Sequence, residues 1–130
     1  MTSTSAKKIA SELASESTKF GDIKKRGKEI KKDHELAMEL WATGTYHARL
    51  LATLILDKSL LTQPAIDALV AGMLDHDETE RNMLADWLLA NQLTKSKKTI
   101  ALLASWEKNA SHVLRRLFWY QQARLRWTGQ

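Results

Sequence analysis

The sequence contains no cysteine, one proline and five glycines in 130 residues, and it has no long apolar run. Without cysteine the chain can form neither a disulfide framework nor a cysteine-based metal site. No apolar stretch approaches the roughly 18 residues that a transmembrane helix needs, which excludes such a helix. The first residues, MTSTSAKKIASELASES, lack the apolar segment of a secretory signal. We therefore expect one domain in an intracellular, cytoplasmic protein.

The charged residues give a net charge of +5 and are unevenly distributed. Residues 19–32 hold seven Lys or Arg against two acids, and residues 110–130 hold four Arg and no acid. Acids concentrate between these segments, in residues 75–80. Two basic segments around an acidic turn favour a surface that binds a polyanion such as nucleic acid. Solvated lysines on an ordinary basic protein would give the same composition.

Apolar residues recur at helical spacing along nearly the whole chain, and no alternation of period two is long enough for a strand. The pattern predicts an all-α protein with helices of roughly 10–16 residues and short turns. Ile9, Leu13 and Phe20 outline a first amphipathic helix, and a second is expected to start at Gly21. Polar residues that precede apolar runs mark the helix starts. The predicted N-caps are Asp22, Asp33 and Thr62, the last one before Pro64.

A weak internal repeat of about 33 residues underlies the helical pattern. Its apolar anchors lie 32 and 33 residues apart, and an arginine that opens the next helix follows each anchor after eight or nine residues. A single helix–turn–helix unit cannot bury both of its faces. We therefore expect about three units in residues 33–127 to stack as a short curved solenoid, after N-terminal helices in residues 5–32. The pairs are Trp41 with Arg49, Met73 with Arg81, and Trp106 with Arg115.

Asp86 breaks this repeat. The residue five positions after the arginine is Leu54 in the first unit and Tyr120 in the third, but a carboxylate in the second. Asn82 lies one turn earlier on the same helix face. A carboxylate where the pattern expects a large side chain marks a place where function overrides local rules. The alternative is a solvent-facing Asp86 that pairs with Arg81 or with an arginine of the next unit.

The segment IKKRGKEIKKDHELAMELWATGTYHARLLATLI closely resembles the start of bacterial DNA alkylation repair proteins of the AlkD type. The shared features are a basic helix followed by Leu-Trp, a small turn, His-Ala-Arg and Leu-Ala. The later segments NMLADWLLANQL and LLASWEKNASHVLRRLF follow in the family's order and approximate spacing. The resemblance covers about residues 20–127 and the first half or so of a usual member. It implies either a fragment or a short relative.

The resemblance implies HEAT-like helical repeats and a glycosylase that releases alkylated purines from double-stranded DNA, without cofactor or metal, in the cytoplasm at the nucleoid. In that family a tryptophan precedes the catalytic aspartate by four positions. The aspartate matches Asp86, whereas Asn82 stands at the tryptophan position. Trp87 lies next to Asp86 but about 100° away around the helix. The family's Trp-x-Arg-Arg element matches VLRRL, so Arg116, together with Arg115, is the implied phosphate-holding arginine.

The implied chemistry is the departure of a purine that alkylation has made cationic. A fixed carboxylate beside C1′ stabilises the oxocarbenium-like sugar and can orient a water. The alternative is a non-catalytic helical-repeat module that binds DNA, or another protein, with the same face. The resemblance and the charge pattern assign DNA or substrate contacts to Asn82, Trp87, Arg115, Lys24, Lys25, Arg26 and Lys28.

Other conspicuous residues favour structural roles. His76 lies in LDHDETE, and a solvated acidic turn is favoured over a metal site because no glycine-centred loop of oxygen ligands is present. Trp41 and Trp106 occupy equivalent turns, which favours packing between units. The segment WYQQARLRW interleaves aromatic residues with arginines, and a nucleic-acid contact and a buried helix interface explain it about equally well.

Overall fold

The computed structural model describes residues 4–14 and 19–128, and these form helices and turns without a strand. This confirms the predicted all-α class. Among these residues no helix combines the length and the apolar character needed to cross a membrane. The helices are α1 (Thr4–Leu13), α2 (Phe20–Ile30), α3 (His34–Ala42), α4 (Tyr46–Ile55), α5 (Gln63–Met73), α6 (Glu78–Leu88), α7 (Lys97–Ala104) and α8 (His112–Thr128), with a 3₁₀ turn at Lys58–Leu60 and a π-helical turn at Leu89–Leu93.

Two of the predicted N-caps are confirmed. The Asp33 Oδ1 atom accepts a hydrogen bond from the Leu36 backbone N–H at 3.1 Å and starts α3. The Thr62 hydroxyl accepts one from the Ala65 N–H at 3.3 Å and starts α5. Each side chain satisfies one of the backbone donors that a helix leaves unpaired at its first turn.

The predicted boundary between the first two helices is wrong. Helix α1 ends at Leu13, and Phe20 opens α2 with Lys19 as its N-cap. Asp22 is therefore the third residue of α2, and its carboxylate accepts a hydrogen bond from the Lys19 N–H at 3.0 Å. The physical reason is that this hydrogen bond satisfies the N-cap N–H at Lys19, so the helix begins at Phe20 and not after Asp22. The Phe20 ring packs against Trp87 with 5.4 Å between ring centroids.

Helix α4 lies at the centre of the core. Residues 48–53 and Ile55 are all buried, as expected of a helix that is surrounded by other helices. Helix α4 packs against α2, α3 and α6, and α6 packs against α8. Helices α2, α4, α6 and α8 thus contact one another in chain order, while α3, α5 and α7 each pack against the helix that follows.

Arg49 joins the first two predicted units. Its Nε donates to the Trp41 carbonyl at 3.0 Å, and its Nη1 donates to the Gly72 carbonyl at 2.6 Å. Its guanidinium carbon also lies 5.1 Å from the centre of the Trp41 ring. The cation thus binds carbonyls at the C-terminal ends of α3 and α5, where the helix dipole is negative. Trp106 is likewise buried, and its Nε1 donates to Gln63 Oε1 at 2.8 Å.

The acidic turn between α5 and α6 belongs to the same junction. Arg49 Nη1 also contacts His76 Nε2 at 3.1 Å. Because arginine can only donate, His76 accepts at Nε2, carries its proton on Nδ1 and donates to Glu80 at 3.0 Å. Burial and the Glu80 carboxylate raise the pKa of Tyr46, which packs beside the His76 ring, to about 12. Tyr46 is therefore neutral at physiological pH, and His76 has a structural role.

Substitution of Gly72 by alanine tests how closely this junction is packed. The added Cβ would lie 2.6 Å from Trp41 Nε1 and 3.4 Å from Arg49 Nη1. We expect Gly72→Ala to lower the free energy of unfolding by about 1–3 kcal/mol, because overpacking outweighs the better helix propensity of alanine. Gly21→Ala is the control, since its Cβ meets nothing within 4 Å. Urea unfolding should show unchanged or slightly raised stability for Gly21→Ala, and the same result for Gly72→Ala would contradict the close contact.

Candidate functional site

The sequence-predicted residues Asp86 and Arg116 meet across two helices. Arg116 Nη1 donates to Asp86 Oδ1 at 2.6 Å, and Nη2 donates to Oδ2 at 3.3 Å. This two-point geometry orients a carboxylate more strictly than a single hydrogen bond does. The Asp86 side chain is 26% exposed and the Arg116 side chain is 35% exposed, so the pair lies at a surface edge that solvent reaches. Asp86 thus pairs with an arginine of the next predicted unit, as the structural alternative to a functional Asp86 predicted.

Apolar packing on both helices places the pair at this edge. Leu88 of α6 and Leu117 of α8 are fully buried in the same apolar cluster. Helices α6 and α8 are in contact, and Asp86 and Arg116 lie beside these apolar stripes. A pair that remains partly exposed contributes only about 0–1 kcal/mol to stability. Its position therefore follows from the core, and the core does not depend on it.

Tyr120 extends the pair by one aromatic ring. The guanidinium carbon of Arg116 lies 5.4 Å from the centre of the Tyr120 ring, one helical turn farther along α8. The ring is 38% exposed. In the sequence Tyr120 is the repeat counterpart of Asp86 and also part of the segment WYQQARLRW, which interleaves aromatic residues with arginines. Its spacing of four residues from Arg116 is the signal that predicts this contact.

Trp87 faces a different helix from Asp86. Its side chain is 8% exposed and contacts α2, where the Phe20 ring packs against its edge. Lys24 Nζ lies 5.4 Å from the centre of the Trp87 ring. Asp86, in contrast, contacts α8. Asn82 lies one turn before Asp86 and is partly exposed.

Arg115 and the basic residues of α2 make different contacts and do not line one common site. Arg115 Nη1 donates to the Asn109 carbonyl at 2.9 Å and holds the turn before α8. Arg26 forms an ion pair with Glu12 of α1 at 3.2 Å. Lys25 and Arg26 border a shallow surface together with the acids Asp22 and Glu29, whereas Lys24 and Lys28 line a groove on the side of α4.

The arrangement around Asp86 combines a fixed anion, a guanidinium and an exposed ring. An ionised carboxylate with both oxygens bound to Arg116 can stabilise a positive charge that develops beside it. The guanidinium has five N–H donors, of which two bind Asp86, so donors remain for an anion.

Comparison of the chain with models of known families, with curated proteins and with solved structures finds no match.

A double-mutant cycle tests the energetic weight of the pair. We expect a coupling energy of about 0.5–1 kcal/mol between Asp86→Ala and Arg116→Ala, because both groups are partly exposed. The coupling should decrease in concentrated salt. Arg115→Ala serves as the control and should show no coupling with Asp86→Ala, since Arg115 binds a carbonyl of its own turn. Unfolding in urea measures each value. A coupling above about 3 kcal/mol would contradict this description, because such a value belongs to a buried structural pair.

Proposed function

We propose that the protein acts in DNA alkylation repair as a glycosylase that releases alkylated purines from double-stranded DNA. We further propose that its helices form HEAT-like repeats in a short curved solenoid. The supporting observation is the meeting of Asp86 and Arg116 at 2.6 Å. The family resemblance assigns these two residues from separate motifs 30 residues apart. Their contact at a partly exposed edge is the arrangement that a shared site requires.

The proposed reaction breaks the glycosidic bond of a purine that carries a positive charge. The bonding electrons leave with the base and neutralise it, and the sugar becomes oxocarbenium-like. The Asp86 carboxylate, placed beside C1′, stabilises this charge. A water then adds at C1′ and loses a proton, which leaves an abasic sugar in the strand.

Arg116 is proposed to have two roles. Two of its N–H groups hold the Asp86 carboxylate in one orientation, so that it is a positioning residue for the carboxylate. Its remaining donors can bind the phosphate that flanks the alkylated nucleotide. The Tyr120 ring contacts the Arg116 guanidinium, a cation–π contact of about 0.5–2 kcal/mol that helps to hold the guanidinium in place. Asn82 cannot supply an aromatic face to the cationic base.

A second candidate is a helical-repeat module that binds DNA, or another protein, without catalysis. Two observations favour it. Both oxygens of Asp86 are already bound by Arg116. Trp87, the aromatic residue nearest to Asp86 in sequence, is covered by Phe20 and Lys24. Under this reading the pair would join α6 to α8 and the basic groups would contact phosphates.

Excision of methylated purines separates the two candidates. We expect wild-type protein to release methylated purine from methylated duplex DNA, and Asp86→Asn to lower the single-turnover rate by about 100-fold or more, because the negative charge is lost at constant shape. Asp67→Asn is the control, since Asp67 is an exposed aspartate of α5 that should not affect the rate. Chromatography of the released base measures the rate.

The outcomes of this experiment are distinct. Equal release by wild-type protein and Asp86→Asn would overturn the proposed role of Asp86. Duplex binding without release by either protein would overturn the glycosylase and support the second candidate. In both cases the duplex affinity should fall with rising salt if phosphates carry the binding.

A further inference from the structure

A groove separate from the Asp86–Arg116 pair lies between α2, α4 and the π-helical turn. Its volume is about 380 Å³, within the range of small-ligand sites. Neither residue of the pair is part of its wall. The lining residues are Lys24, Gly27 and Lys28 of α2, Leu54 of α4 and Asn91 of the π-helical turn.

Lys24 and Lys28 give the groove a positive charge, and Lys24 Nζ also lies 5.4 Å from the centre of the Trp87 ring. They lie one turn apart on α2, where like charges repel each other. Within residues 4–14 and 19–128, neither ammonium forms an ion pair with a carboxylate. Arg26 differs because Glu12 neutralises it at 3.2 Å. An anion bound between Lys24 and Lys28 would relieve their repulsion and gain charge-assisted hydrogen bonds.

Leu54 of α4 gives the groove an apolar floor, at the place where α2 approaches α4 closely. A Cβ at Gly27 would lie 3.0 Å from Leu54 Cδ1, so the absence of a side chain allows this approach. Leu54 remains partly exposed between the two helices. An apolar floor adds no affinity for a small inorganic anion. It favours a ligand that carries a flat or apolar body beside its charge.

Asn91 supplies a polar group with a fixed orientation. Its Nδ2 donates to the Trp87 carbonyl at 2.9 Å, which restrains the amide plane. The Oδ1 atom can then accept a hydrogen bond from a ligand. The groove therefore combines two cations, an apolar floor and a hydrogen-bond acceptor. These match the phosphate, the base face and an exocyclic N–H of a nucleotide.

We propose that this groove binds one nucleotide, with its phosphate at Lys24 and Lys28, its base on Leu54 and an exocyclic amine at Asn91. The nucleotide is either a free mononucleotide or one unit of a DNA strand, since both present the same chemistry. This inference goes beyond the glycosylase proposal and does not depend on Asp86.

Calorimetric titration of the whole protein tests the groove with three probes: deoxyadenosine monophosphate, inorganic phosphate and a short single-stranded oligodeoxyadenylate. We expect the mononucleotide to bind in a saturable manner and about tenfold more tightly than phosphate, because only the nucleotide contacts Leu54 and Asn91. The variant Lys24→Ala/Lys28→Ala should bind it at least about tenfold more weakly. The control Lys8→Ala/Lys58→Ala removes the same charge from exposed positions outside the groove and should bind normally. Circular dichroism verifies that both variants are folded.

Three results would overturn the proposal: no saturable binding of the mononucleotide, equal binding of phosphate and mononucleotide, or equal losses in the two double variants. The oligonucleotide arm identifies the source of the ligand. Tighter binding of oligodeoxyadenylate with the same dependence on Lys24 and Lys28 assigns the groove to a DNA strand, and tighter binding of the mononucleotide assigns it to free nucleotide. Release of methylated purine is also measured on Lys24→Ala/Lys28→Ala. This separates failure of the proposed nucleotide binding from failure of the proposed glycosylase.

Discussion

The buried guanidinium of Arg49 is the contact on which the packing of the helical pairs depends. It binds the carbonyls of Trp41 and Gly72 and covers the face of the Trp41 ring. A buried cation is tolerated only when its donors are satisfied, so the ends of α3 and α5 must stay at fixed distances from it. Helix α4, which carries Arg49, is then held at the centre of the core. Its contact with α6, and that of α6 with α8, place Asp86 opposite Arg116.

Arg49 and Arg116 have different structural roles. Arg49 is buried, binds backbone carbonyls and stabilises the packing of helices. Arg116 is about one-third exposed and binds a carboxylate that the core does not need. A pair of the second kind contributes little to folding, since solvent screens it. The pair instead holds the Asp86 carboxylate in one orientation at the surface, and we propose that this carboxylate stabilises a cationic sugar.

Local features were predictable from the sequence, and distant contacts were not. The all-α class and the cap at Asp33 followed from periodicity and from a hydrogen bond between residues three positions apart. The contact of Phe20 with Trp87 was not predictable, because the two residues are remote in sequence. The repeat and the resemblance singled out Asp86 and Arg116 separately. Their pairing remained one of several alternatives, since nothing in the local pattern determines which arginine reaches a carboxylate 30 residues away.

We propose that the carboxylate at position 86 acts on the substrate and does not merely join α6 to α8. Exchange of the two charges, in the variant Asp86→Arg/Arg116→Asp, tests it directly, because an ion pair can still form while the carboxylate moves to α8. The measurement is single-turnover release of methylated purine from duplex DNA. If the carboxylate on α6 acts on the substrate, this variant stays within about 1 kcal/mol of wild-type stability and no longer releases the base. Release at the wild-type rate would contradict this proposal.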